Sequence, residues 1–300
     1  MFINCKFLLS VVLLFSLVLP VFSFEPSGGV LMLDGNDDYA ILPLEEHGYI
    51  FPRNTDEFTV EVWFYPKAET EPEPGTSNII LSQQVRLGLL PNNNKNCRRL
   101  PLGEKGEMCA SGIAYLEGGG AHGVKSMDVP IKKDQWNYLA VIFKDSTLYV
   151  AYNDQIYRTQ RDDRLNVIGG ELRFPEWFKH FCVGGFGKKE LVQHIPYFHG
   201  DIDAIRFSDI AQYDLPAEPG PSAFDPPHRF ESDAHTLAFW DFNDKEGADR
   251  FEDESGNGYT LIGMNGATTS RALAVNPANT SIATTWGQIK LESRDIPFSD

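Results

Sequence analysis

The sequence predicts an all-β protein built as a sandwich of two antiparallel sheets, and three observations carry that expectation. Apolar and polar residues alternate with a period of two, most cleanly in EFTVEVWFYP. There Phe58, Val60, Val62 and Phe64 share one face and Thr59, Glu61, Trp63 and Tyr65 the other. Many such short stretches follow one another, separated by turn residues, across 300 residues. No stretch of useful length sustains the 3.6-residue period of an amphipathic helix. Strands of this kind hide one face each by packing as two layers.

The first 23 residues stand apart from the sandwich. MFINCK carries a single Lys, FLLSVVLLFSLVLP is apolar, and Val21-Phe22-Ser23 suits cleavage after Ser23, so residues 1–23 read as a signal peptide. Pro20 and the shortness of the run argue against a membrane anchor, and no later segment is apolar enough to cross a bilayer. The expected product is secreted, with no membrane insertion. The formal net charge of −16, spread along the chain without a basic run, argues against nucleic acid as a partner.

The main body is expected over residues 28–214. Val30–Leu33 and Tyr39–Leu42 flank an acidic turn, and Pro66 ends the strand that follows because it cannot donate to a ladder. NIILSQQVRLGLL continues the strands. QWNYLAVIFKDSTLYVAYNDQIYRTQ reads as strands separated by turns at Lys144–Thr147 and Asn153-Asp154, and HFCVGGFG and YFHGDIDAIRF add two more. GGGAHG, Gly118–Gly123, reads as a flexible turn. Residues 215–235 begin with five prolines in LPAEPGPSAFDPPH and read as a stiff connection. Residues 236–263, with TLAFWDFND and FEDESGNGYTLIG, are expected to return and complete the sandwich, leaving 264–300 as a polar tail. About 60 residues would struggle to bury a core alone, which disfavours a truncated second domain.

LMLDGNDDYAIL, FTVEVWFYP, WNYLAVIF with LYVAYNDQIY, FHGDIDAIRFSDIA and LAFWDFNDKEG…DESGNGYTLIG together resemble successive landmarks of laminin-G-like, concanavalin A-like jelly-roll domains. The resemblance spans about residues 28–263 and implies a jelly-roll sandwich. One departure is order, because the W-F-D and SGNG landmarks here follow the opening strand instead of preceding it. The roles it implies are glycan binding, adhesion to another extracellular protein, or glycoside hydrolase or polysaccharide lyase activity, and it does not choose among them.

Candidate sites follow. Such domains often carry one Ca²⁺ at a sandwich edge, a cation that takes six to eight oxygens. The DGNDD turn offers Asp34, Asn36, Asp37 and Asp38, and the closing strand of the main body, expected beside the first, would add Asp201 and Asp203. The plainer alternatives are that Asp203 pairs with Arg206 and that Asp37 caps a turn. Cys97 and Cys109 bracket the only basic cluster and are natural disulfide partners in an oxidising compartment, worth about 2–3 kcal/mol; Cys182 reads as a buried free thiol. Arg98 and Arg99 in that loop, with Trp177 as an exposed platform, are the candidate ligand contacts, whereas Trp63 and Tyr65 read as core. The chain shows no E-x-D-x-x-E strand, GxSxG elbow or HExxH helix, so a catalytic role is not expected. The reading is a non-catalytic module that binds a glycan, with an extracellular protein as the alternative partner.

Overall fold

The computed structural model describes residues 24, 26, 28–67, 78–91, 108–116, 121–158, 171–174, 180–185 and 197–271, with the backbone alone for 90, 91 and 121–130. Its strands are β1 (Gly29–Asp34), β2 (Tyr39–Pro43), β3 (Phe58–Pro66), β4 (Asn78–Ser82), β5 (Val85–Pro91) and β6 (Met108–Tyr115). Then come β7 (Ala121–Pro130), β8 (Asn137–Lys144), β9 (Thr147–Tyr152), β10 (Gln155–Arg158), β11 (His180–Val183) and β12 (His199–Ser208). The chain continues through β13 (Gly220–Ala223), β14 (Thr236–Trp240), β15 (Arg250–Phe251), β16 (Leu261–Met264) and β17 (Thr268–Arg271). A single helical turn, α1 (Leu44–His47), follows β2.

Two antiparallel sheets result. The first runs β13-β10-β9-β8-β3-β12-β1-β17, with β14 also paired to β12; the second runs β15-β16-β2-β11-β4-β5-β6-β7. The core lies between them. Val60, Val62 and Phe64 of β3 meet Phe181 and Val183 of β11 and Leu87 and Leu89 of β5 in one cluster. The alternation of EFTVEVWFYP is therefore the inside and outside of one sheet.

The outer face of the first sheet is also covered. Trp63, Tyr138, Ala140, Tyr149 and Ala204 form a second apolar cluster with Phe230 and Phe239, against which Phe24, Trp136, Tyr213 and Phe224 pack. A strap, residues 209–235, makes this cover. Its start is pinned where Ala211 N–H donates to Glu57 Oε1 (2.8 Å) and Thr59 Oγ1 donates to the Ile210 carbonyl (2.8 Å). Its far end is held where Trp63 Nε1 donates to the Pro227 carbonyl (3.0 Å) and Arg206 Nη1 to the Glu231 carbonyl (2.8 Å).

Three details differ from expectation. Gly220–Ala223, inside the proline-rich connection, pairs with β10 as an edge strand. Thr268–Arg271, beyond the expected tail boundary, pairs with β1 at the opposite edge. Ala121–Pro130, whose first residues read as a flexible turn, is the edge strand β7. Pairing on one side through backbone groups demands no apolar face, so GPSA and TTSR carry no alternation to announce them.

Candidate functional site

The turn between β1 and β2 brings Asp34, Asp37 and Asp38 together, with one carboxylate oxygen of each within 4.8 Å of the others. Local hydrogen bonds shape it. Asn36 donates its backbone N–H to Asp34 Oδ1 (2.8 Å) and its amide to Asp34 Oδ2 (2.8 Å). Asp34 N–H donates to Asp38 Oδ2 (3.3 Å). Burial alone would raise the Asp34 carboxyl, but the hydrogen bonds from Asn36 and from the Asp37 and Asp38 backbone hold it below its ordinary value. Asp38 is buried and goes the other way, raised by that burial and then by the charge of Asp34.

The C-terminal hairpin closes this turn from above. Asn265 Nδ2 donates to the Asp37 carbonyl (2.9 Å), and Gly266, at φ +138°, lies so close that a Cβ there would stand 2.8 Å from Asp38 Oδ1. Neither residue was foreseen, although Asn-Gly between LIGM and ATTS is a strong hairpin signal.

Asp201 and Asp203 do not join the cluster. Asp201 stands opposite Met32, two residues back along β1 from Asp34, and its Oδ1 lies 3.1 Å from Lys67 Nζ. Asp203 is buried at a β-bulge: Ile202 pairs with Phe64 and Ala204 with the adjacent Trp63, leaving Asp203 as the extra residue. Arg206 pairs with Glu61, its Nε and Nη2 each 2.7 Å from Oε1. Tyr138 and Tyr213 donate their hydroxyls to Oε2 at 2.7 and 2.5 Å. Burial first and the Glu61 charge second push both phenols well up. Burial would lower the Arg206 guanidinium, but Glu61 beside it holds it up. This quartet lies beneath the strap, and its carboxylate is turned away from solvent. Sequence reading identified Glu61 as sharing a face with Trp63 but not its partners, since β8, β12 and the strap lie far away in sequence.

Trp177, Arg98, Arg99 and Cys97 lie outside the described residues, and with Cys97 lies the expected pairing to Cys109, which is buried in β6. Cys182 is a free, buried thiol whose pKa burial pushes up to about 12.

No protein-family model matches the sequence, and no curated protein matches it. Solved structures do. A Bacteroides ovatus protein for which carbohydrate binding has been inferred is 12% identical, with a TM-score of 0.50 over 82% of this chain and 60% of that one. The fold is a concanavalin A-like jelly roll. The chain thus spans about three-fifths of that relative's length. Weaker likenesses include a heptameric pentraxin of Limulus polyphemus (10% identity, TM-score 0.36, 66% of this chain and 93% of that one). Domains LG4-5 of the mouse laminin α1 chain give 12% identity and a TM-score of 0.39 over 66% of this chain and 47% of theirs. Among the described residues, no helix of this jelly roll is long and apolar enough to cross a membrane.

Proposed function

We propose that the chain is a secreted, non-catalytic module that binds carbohydrate and holds one Ca²⁺ at the Asp34–Asp38 edge. The observation that carries the reading is the convergence of Asp34, Asp37 and Asp38 at one edge of a jelly roll. Hard oxygen donors grouped in this way suit Ca²⁺ and not a softer ion. The close approach of Gly266 fits the same purpose, because a side chain there would intrude on Asp38. With Ca²⁺ bound, Asp34, Asp37 and Asp38 would hold it, Asn36 would orient Asp34, and the ion would offset the mutual repulsion of the carboxylates. The likeness to the Bacteroides ovatus protein favours a glycan over other ligands. The engagement of Glu61 by one arginine and two tyrosines favours binding over hydrolysis, since that carboxylate is not presented to a substrate. A Cys97–Cys109 disulfide would close the basic loop of the exported protein.

The test is a diverse glycan array probed with Ca²⁺ and with EDTA, beside thermal melts under the same conditions. Selective glycan binding is the expected result. Ca²⁺ at about a hundredfold excess over its Kd raises the melting temperature on the order of 5–10 °C. Asp38→Asn removes that gain. The sign in EDTA is diagnostic: a carboxyl raised in the folded state disfavours folding once ionised, so its cost fades as pH falls through its folded pKa. Asp38→Asn in EDTA near neutral pH therefore melts no lower than the parent. A parent melt indifferent to Ca²⁺ overturns the metal site. A silent array overturns the glycan reading in favour of a protein partner.

A further inference from the structure

Trp63, Tyr65 and Lys67 follow one another on the outer face of β3 and its continuation, and Asp201 of β12 stands opposite Tyr65 on the same face. The strap meets Trp63 through the Pro227 carbonyl. One face of the buried indole is covered by a residue from outside the sheet: Phe24 stacks on Trp63 with ring centroids 3.8 Å apart and planes 12° from parallel. Trp136 forms the wall, edge-on to Phe24 at 5.5 Å and to Tyr65 at 5.5 Å.

The floor of this slot does not depend on Phe24 for its position. The Trp63 indole is fixed by its N–H bond to Pro227 (3.0 Å) and by the edge of Tyr138 at 5.4 Å. The rim is polar, with Lys67 and Asp201 paired at 3.1 Å, both part-exposed. Phe24 reaches the slot from ahead of Gly28 and Gly29, where β1 begins, and belongs to no strand.

We propose that this slot is a binding site for a six-membered sugar ring, held closed by the chain's own Phe24. The proposal rests on the reading of the chain as a carbohydrate-binding module and adds a second site, on the sheet face and away from the acidic edge. Phe24 shows the size and attitude of the occupant: one six-membered ring lying flat on Trp63. A pyranose ring offers a C–H face to an indole in the same way, and its equatorial hydroxyls would reach outward, where a carboxylate and an ammonium stand ready to accept and donate. A purely apolar ring would leave the Lys67–Asp201 rim unused. Displacement of Phe24 replaces one ring stack by another, so the chain supplies a competitor whose effective concentration a free sugar must overcome.

The test uses the chain expressed with its own N-terminal segment and purified as the cell delivers it. Parent, Phe24→Ala and Phe24→Ala/Trp136→Ala are titrated with the methyl glycosides of glucose, galactose and mannose, followed by tryptophan fluorescence and calorimetry in EDTA. The expected result is at least tenfold tighter binding of one glycoside by Phe24→Ala than by the parent, and loss of that gain in the double variant. Equal binding by parent and Phe24→Ala, or binding by neither, overturns the slot and leaves Phe24 as a packing residue. The glycan array on the parent is read separately. Array binding that both substitutions leave unchanged retains the carbohydrate reading without the slot. A silent array with glycoside binding by Phe24→Ala overturns the carbohydrate reading of the parent chain and retains the slot as a site that Phe24 keeps closed.

Discussion

Glu61 illustrates what a single carboxylate does once two layers close over it. It is fully buried, and its two oxygens accept from Arg206, Tyr138 and Tyr213, so the low dielectric that would penalise a lone charge strengthens a satisfied one. Removing one member leaves the others stranded. Tyr213→Phe deletes a hydroxyl donor to a charged acceptor and is expected to cost about 1.5–3 kcal/mol. Glu61→Gln leaves the buried Arg206 guanidinium without its counter-charge and is expected to cost about 3–5 kcal/mol. Urea unfolding of the two variants checks both values, and a Glu61→Gln loss smaller than that of Tyr213→Phe would mean that the ion pair is not the centre of the quartet. The face that Glu61 occupies was legible from the alternation of EFTVEVWFYP. Its partners were not, because residues 77 and 145 positions away in sequence leave no periodic trace.

At the scale of elements, β12 shows how an irregular pattern encodes an irregular strand. Ile202, Ile205 and Phe207 face the inter-sheet core while Ala204 faces the strap, so the inward spacing is three residues and then two. The bulge at Asp203 absorbs the odd residue. It also falls where the neighbour changes: β1 pairs with His199–Ile202 and β14 with Ile205–Ser208, end to end along one side of β12, stitched where Gly29 N–H donates to Asn243 Oδ1 at 2.7 Å. The two aspartates in FHGDIDAIRF were visible in the sequence as an anomaly within a strand. Their reading as metal ligands rested on the closing strand lying beside the first, which it does, but in a register that sets Asp201 opposite Met32 and His199 opposite Asp34. Asp203 is the extra residue, so its deletion would leave Ile202 and Ala204 adjacent in regular alternation, with Ile205 and Phe207 still inward and Arg206 still outward. The expected outcome is a soluble chain that keeps a cooperative thermal transition, as does Asp203→Asn. An insoluble deletion variant, or one without a cooperative melt, would show that the bulge itself is needed where β12 changes neighbours.

The whole molecule depends on its last strands. β14 extends the first sheet beside β12, β16 adds to the second beside β2, and β17 returns to the first beside β1, so the C-terminal segment enters both layers. It also supplies core. Trp240 is fully buried, stacks on Phe181 with centroids 5.6 Å apart, and donates its indole N–H to the Tyr259 carbonyl at 2.7 Å; Phe242, Phe251 and Leu261 belong to the same cluster. Each large aromatic of this kind hides roughly 150–250 Å², and burial at about 25 cal/mol per Å² makes each worth several kcal/mol. Domains are stable by only about 5–15 kcal/mol, so removing this group together exceeds the whole margin. Truncation after residue 235 would also uncover the far half of β12 and strip the hairpin from the Asp34–Asp38 turn. Such a chain is expected to aggregate, and Trp240→Ala alone is expected to cost about 3–5 kcal/mol by urea unfolding. An appended second domain would behave otherwise: its removal would leave the main body soluble, with a cooperative melt near that of the full chain. That outcome would detach the C-terminal strands from the sandwich. Failure of the truncated chain to fold would also explain why the acidic edge lies under Asn265 and Gly266, since the segment that closes the turn is one the core cannot lose.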